Sequence, residues 1–375
     1  MEPKHFNLLA IAAVVLLVGA GLVHGAYNDW STEKVSGQKL LASFDADANK
    51  SSAITIQKAG TTLTIKRDGS GWVVADRSGY PANPEKVKQL IVDLTAAELV
   101  EPKTRVPERY SILELGDPAK KDAKSTLVKV SDKAGKALAE VVIGKRSIAA
   151  FGRGKAGTYV RIPGNPQTWL ANVDIRTSPD VTDWVDAVFF RIDPSKVASL
   201  TVTEPGAEPY TLVADDKKKG QFKFKSVPAD HKLKSGASAT NMVQGVKTLE
   251  MTDVRKLDKL PEGEKVAKAV LVMDDGLKIE FRVDRSDDTD RWVAMKVIEA
   301  GKDKAAAKKI SDRTDGWAFK VADWRVRQTF KAPTELFEAE KKPKLEPTPS
   351  APEAPKAQTP AGPEPAAGPG GAAKP

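Results

Sequence analysis

The chain has 375 residues, 41% of them apolar, which is enough to bury cores for about two domains. It has no cysteine, which excludes disulfides, thiolate metal sites and thiol nucleophiles, and its three histidines are too few for a histidine zinc cluster. The net charge of +9 lies in the body, because the chain from Lys331 onward holds six lysines against six glutamates; no recognition module or aromatic-interleaved basic run accompanies it, so nucleic acid is excluded as a partner.

From Phe6 to Val23 the chain is apolar and uncharged, preceded by Lys4 and followed by Tyr27 and Trp30. Eighteen helical residues rise about 27 Å, close to the hydrocarbon thickness of a bilayer. Lys4 and the terminal amine lie on the short side, so the positive-inside rule places the N-terminus in the cytoplasm and the body outside it. A signal peptide cleaved before Ala26 is the competing reading, but the apolar run is longer than a normal signal core. Residues 1–30 are therefore expected to be a retained single-pass transmembrane anchor, and a lipoprotein is excluded because no cysteine can be acylated.

In the body, Ile54-Thr55-Ile56 and Leu63-Thr64-Ile65 alternate around Lys58-Ala59-Gly60-Thr61, the pattern of a hairpin. The turn Asp68-Gly69-Ser70-Gly71 feeds a third strand, Trp72-Val73-Val74. Pro84 followed by Val87, Leu90, Ile91, Leu94 and Leu99 predicts an amphipathic helix over that sheet. The stretch from Glu101 through Pro118 reads as loop. Two segments, 126–130 and 138–143, form another hairpin, and 159–162 and 168–171 add two short strands. Ser178 with Pro179 predicts a capped short helix carrying Trp184 and Phe189 inward. Strands are then expected over 269–272, 277–283, 291–297 and 317–321. Beyond about Lys342, proline, alanine, glycine and glutamate dominate, which predicts a disordered or extended tail.

This order repeats at an offset of about 146 to 148 residues in its opening, where Phe44-Asp45 and 53–56 correspond to Ile192-Asp193 and 199–202. Gly71-Trp72 corresponds to Gly220-Gln221, 90–94 to 242–246, and 159–162 to 292–295. The segments opened by Trp169 and Trp317 close the two halves. The expected fold is therefore α+β: two tandem related modules over 31–190 and 191–330, each an antiparallel sheet with a covering helix, followed by a Pro/Ala-rich tail over 331–375.

The opening Phe44-Asp45, Gly71-Trp72, Gly79-Tyr80-Pro81-Ala82-Asn83 before a helix, Leu115-Gly116-Asp117-Pro118, and Ile143-Gly144-Lys145 before Thr158-Tyr159-Val160 resemble a bacterial family known only as a domain of unknown function, often encoded beside gliding-motility-type ABC transporter components. The likeness runs from the anchor to about residue 330. It implies a single-pass inner-membrane protein with a periplasmic body, an accessory to a transporter, and it supplies no catalytic residues.

Gly152-Arg153-Gly154-Lys155-Ala156-Gly157 spells a dinucleotide-binding pattern, but a strand and not a helix follows it, so it reads as a hairpin loop. Arg146, Arg153 and Lys155 make that loop a candidate anion or partner contact. Asp284, Asp287, Asp288 and Asp290 lack the central glycine and terminal glutamate of a calcium loop and read as a solvated turn. Lys217-Lys218-Lys219 reads as a hairpin tip. His231 stands alone in the body, without visible triad partners. Trp72, Trp169, Trp292 and Trp317 fall on strands and read as core. Trp324, with Arg325 and Arg327, is the candidate exposed contact.

These features favour a non-enzymatic, membrane-anchored envelope protein without a cofactor or metal, an accessory or scaffold for an envelope complex such as an ABC-type transporter. The alternative is a periplasmic binding or sensor module for a glycan, lipid or peptide. A deep apolar pocket between the modules favours the binding module, and a flat exposed patch favours the scaffold. A carboxylate-dependent hydrolase is the remaining class, requiring two acidic groups across a cleft.

Overall fold

A computed structural model of the protein describes residues 37–340, apart from 149, 153, 154 and 287–290, together with Leu16, Val18 and Gly19. The expected anchor over 6–23 and the chain beyond 340 lie outside these bounds but for those three residues. Among the described residues, no helix is long and apolar enough to cross a membrane. The fold is mainly antiparallel β with a few helices.

The first sheet contains β1 (Gln38–Lys39), β2 (Ala53–Lys58), β3 (Thr61–Asp68), β4 (Gly71–Val74) and β5 (Tyr80–Pro81), then β6 (Glu98–Pro102), β7 (Thr126–Ser131), β8 (Ala137–Ser147), β9 (Gly157–Arg161) and β10 (Thr168–Ala171). Period-two alternation sets its faces: Ile54 and Ile56 of β2 and Leu63 and Ile65 of β3 are buried while Thr55 and Thr64 are not. Ala59 and Gly60, both left-handed at φ 50 and 76, close the two-residue turn of that hairpin. Helix α1 (Phe44–Asp47) precedes β2 and α2 (Pro84–Ala96) follows β5; Val87, Leu90 and Leu94, at helical spacing, are the buried stripe of α2.

The second half contributes β11 (Val188–Arg191), β12 (Val197–Thr203), β13 (Tyr210–Ala214), β14 (Phe222–Phe224), β15 (His231–Leu233), β16 (Thr248–Glu250) and β17 (Asp253–Lys256). It continues with β18 (Val266–Met273), β19 (Leu277–Asp284), β20 (Arg291–Ala300), β21 (Trp317–Val321) and β22 (Phe337–Ala339). Its described residues include the helices α3 (Ala239–Gly245), α4 (Lys304–Thr314), α5 (Asp323–Thr329) and α6 (Pro333–Leu336). In β19, Leu277, Ile279, Phe281 and Val283 are buried and every intervening residue is half-buried.

The large sheets have one strand order. From β6, the first runs β6-β10-β9-β8-β7-β2-β3-β4, with β1 and β5 added at its two edges; from β17, the second runs β17-β21-β20-β19-β18-β12-β13-β14. In chain order each is a three-strand meander, a helix, a strand on the far edge and a four-strand meander that fills the gap. Trp169 and Trp317 accordingly stand on equivalent strands, β10 and β21, each between a far-edge strand and the third strand of the second meander.

The buried residues of both sheets form one contiguous core, from Leu40 to Phe337. Aromatic rings knit it together: Phe189 stacks on Phe319 with centroids 4.0 Å apart, and Phe190 meets Phe281 edge-on at 5.3 Å.

Three expectations are corrected. Leu99 belongs to β6 and not to the helix, because α2 stops at Ala96 and Leu99 turns into the sheet beside β10 and β1. The joint is capped by Asp180 and not by Ser178: the carboxylate of Asp180 accepts from both the backbone N–H and the hydroxyl of Thr182 at 2.9 Å, so the short 3-10 turn begins at Val181. Trp184 and Phe189 are buried there as anticipated. Finally, the chain beyond 331 does not begin as a tail. Leu336 and Phe337 are buried, Phe337 lies edge-on to Phe224 at 5.5 Å, and β22 pairs with β15, which places His231 in a strand.

Candidate ligand-binding groove

The sheets meet where the chain leaves β5. Gly79 adopts φ +80, a conformation that a side chain strains, and so lets the strand turn into Tyr80-Pro81-Ala82-Asn83. Tyr80 lies edge-on to Trp317 of the second sheet, with ring centroids 4.9 Å apart. Asn83 caps α2 by accepting from the N–H groups of Glu85 and Lys86, and its side-chain amide donates to Asp186 at 2.7 Å. The backbone N–H of Asn83 donates to the carbonyl of Trp184 at 2.7 Å. Outside this knot, Arg77 holds Asp253 of β17 with two bonds of 2.5 and 3.2 Å.

Helix α4 lies over this junction. Asp303 caps it by accepting from Ala306 N–H at 2.9 Å, but only Ala307 and Thr314 of its residues are buried, so little apolar contact holds it down. Its tie to the joint is Arg313, 3.2 Å from the carboxylate of Asp186. Grooves flank the helix on both sides, one of about 670 Å³ and one of about 520 Å³, and both are lined by Asp186, Lys309 and Arg313. Such volumes suit a small ligand or an inserted segment. Val185, Val188, Phe189, Phe190, Ala306 and Ile310 give the larger groove its apolar walls, and Lys86, Arg191, Lys309 and Arg313 its cations. On the other side, burial pushes the Tyr80 hydroxyl above its ordinary range, an effect that the adjacent Arg313 opposes.

A third cavity, about 640 Å³, opens between α2 and β8. It is polar and internally paired: Arg146 donates to Asp174 at 2.5 and 2.7 Å, and Arg176 reaches the same carboxylate at 2.9 Å. The hydrogen bond from Arg146 holds Asp174 below the ordinary carboxylate range, while burial raises Asp93 in the same cavity.

The described candidates read from the sequence do not converge on one site. Arg146 is committed to Asp174 at the end of β8, and Lys155 is exposed ahead of β9. Arg153 lies outside the described residues. Trp324, Arg325 and Arg327 sit on α5 in the second half: Trp324 is 62% exposed, the Arg325 guanidinium covers its ring at 4.3 Å, and Arg327 pairs with Asp323 at 2.5 Å. Asp323 is also held by Arg291 at 2.8 Å. None of the five described candidates lines the larger groove beside α4. Of the four strand tryptophans, Trp72 and Trp317 are buried and Trp169 and Trp292 half-buried, with Arg255 stacked 4.3 Å over Trp292. His231 is exposed and contacts the carbonyl of Ala229. Of the residues lining the larger groove, Phe189 alone is singled out by the sequence, and its cations are not, although Asp303 ahead of Lys304-Ala305-Ala306-Ala307 is a legible cap and helix start.

The resemblance motifs acquire physical causes. A Cβ on Gly144 would stand 2.3 Å from the carbonyl oxygen of Leu113 and 2.7 Å from the side chain of Leu115, so Ile143-Gly144-Lys145 and Leu115-Gly116 are two sides of one close approach. Gly79 through Asn83 builds the junction.

An antiparallel α+β protein whose two like-ordered sheets share a core and frame a groove of ligand size is the class that this geometry defines. The chain belongs to the family described as Domain of unknown function (DUF4340), whose model matches residues 72–269, more than half of its length. The matched span opens in β4 and closes in β18, so it contains Tyr80, Asn83 and Arg191 but not α4. No curated protein and no solved structure matches the chain.

Proposed function

We propose that this is a non-enzymatic binding protein of the cell envelope, anchored in the inner membrane by the apolar run from Phe6 to Val23 with its N-terminus cytoplasmic, and acting as an accessory to an envelope complex of the ABC-transporter type. The two sheets are read as copies of one module, supported by their common strand order and by the sequence correspondences between the halves. The observation that carries the reading is the groove beside α4: an apolar pocket between the modules is the feature that favours a binding module over a flat scaffold.

The test is a photoreactive amino acid placed at Ala306 in the full chain, in native membranes, against the same residue at exposed Thr62 on the first sheet. The reading expects adducts from position 306 that include transporter-complex subunits or a bound small molecule. Equal adducts from both positions, or none from 306, refute it.

A scaffold reading draws on a different observation, the exposed Trp324 ring under Arg325. Trp324→Ala with Arg325→Glu would then abolish co-purification of a partner while leaving the groove adducts unchanged.

A further inference from the structure

Among its described lining residues the larger groove carries four cations, Lys86, Arg191, Lys309 and Arg313, against one carboxylate. Asp186 is the only carboxylate among the described residues that line it, and Arg313 and Asn83 already satisfy it. Lys86 donates at 3.0 Å to the carbonyls of Thr182 and Val185, partners that satisfy its hydrogens without neutralising its charge. Arg191, at the exposed end of β11, and Lys309, exposed on α4, have no side-chain partner among the described residues. Three uncompensated cations therefore surround one apolar trough. In the cavity beside Arg146, by contrast, three of the five lining cations face a carboxylate, Arg146 and Arg176 that of Asp174 and Lys124 that of Glu114, and Asp93 and Asp183 line it as well.

The rest of the lining narrows the ligand. Apart from those cations and Asp186, every described lining residue is aliphatic, aromatic or alanine; no Ser, Thr, Asn or Gln is among them. Sugars and neutral polar peptides are recognised through amides and hydroxyls that satisfy their polar groups, and a buried polar group without a partner is costly. An acyl chain asks for apolar walls alone, and a carboxylate or phosphate asks for Arg and Lys. Resting on the groove reading above, we propose that the groove binds a single-chain anionic amphiphile, with its chain along Val188, Phe190 and Ile310 and its headgroup between Arg191 and Lys309. Helix α4 carries Lys309 and Ile310 together, so it supplies part of the site for both ends of the ligand.

The experiment uses the full chain in nanodiscs of neutral phosphatidylcholine and three photoreactive probes with one alkyl chain, ending in a carboxylate, a phosphate monoester or an alcohol. Labelled peptides are mapped by mass spectrometry. The expected result is labelling confined to 185–191 and 304–314 by the two anionic probes, with the alcohol about tenfold weaker, the scale of one lost charge-assisted contact. The ratio of the carboxylate to the phosphate probe distinguishes the two headgroup sources. Arg191→Ala with Lys309→Ala should bring the anionic probes down to the level of the alcohol and leave the alcohol unchanged. Equal labelling by all three probes on the unaltered chain, or labelling spread outside the groove, overturns the proposal without needing any variant to fold. If it is overturned while Ala306 still captures transporter-complex subunits, the ligand class falls and the groove reading stands; loss of both removes both.

Discussion

Tyr80 of the first sheet and Trp317 of the second meet edge-on at 4.9 Å, with their ring planes 88° apart. They are 237 positions apart in the chain, and both are buried. The contact lies inside a core common to both sheets, so neither sheet is expected to melt alone. Tyr80→Ala should cost about 3 to 5 kcal/mol, the range for removing a buried aromatic side chain. Urea unfolding followed by tryptophan emission and by hydrogen exchange in each sheet should give one coincident transition, shifted downward by the substitution. Two separated transitions in the unaltered chain would show that the junction does not couple the sheets.

Glu204 is 3% exposed at its side chain and is held by Arg285 through bonds of 2.5 and 3.0 Å, while Arg285 also reaches the carbonyl of Phe330. Removing the arginine leaves a buried carboxylate alone, so Arg285→Ala should cost about 3 to 5 kcal/mol. Arg285→Ala combined with Glu204→Gln should recover much of that loss. Burial pushes Glu204 above its ordinary value in the folded state, so the folded protein takes up the proton more readily, and the single variant's deficit should shrink as pH falls through the carboxylate range. Chemical denaturation at several pH values measures both effects.

Asp174 has the opposite sign. Its pKa is depressed by the hydrogen bond from Arg146, so its stabilisation is full above the ordinary aspartate value of 3.8 and is lost as pH falls through the lower folded value. Asp174→Asn should therefore flatten the acid limb of the stability curve, and the variant and the unaltered chain should converge at the acid end. A parallel offset at every pH would assign the residue a packing role instead.

Gly144→Ala should be destabilising by at least about 1 to 3 kcal/mol, the cost of overpacking, because the added carbon would meet backbone, Leu113, at 2.3 Å and not the end of a flexible chain. Gly116→Ala is the control, since nothing lies within 4 Å of its Cβ position. Thermal melts of the two variants should separate clearly. Similar melts would mean that the loop around Leu113 yields.

The amino-acid sequence alone was sufficient for the elements that local patterning specifies. Alternation fixed the faces of β2, β3 and β19, the spacing of Val87, Leu90 and Leu94 fixed the buried stripe of α2, and correspondences such as Trp169 with Trp317 identified strands that do stand in equivalent places. These signals are short-range or periodic, so they survive without a third dimension. The lone, exposed His231 was likewise readable from its polar surroundings, although not its pairing with β22. Only tertiary structure decided the groove. Arg191 and Lys309 are 118 positions apart and carry no motif; each reads as an ordinary surface cation until the joint and α4 are folded against each other. In the same way Arg146, conspicuous in the sequence, proved committed once Asp174 was brought beside it. Whether a charge is free is a property of what the fold places within a few ångströms of it, and periodicity records nothing of that distance.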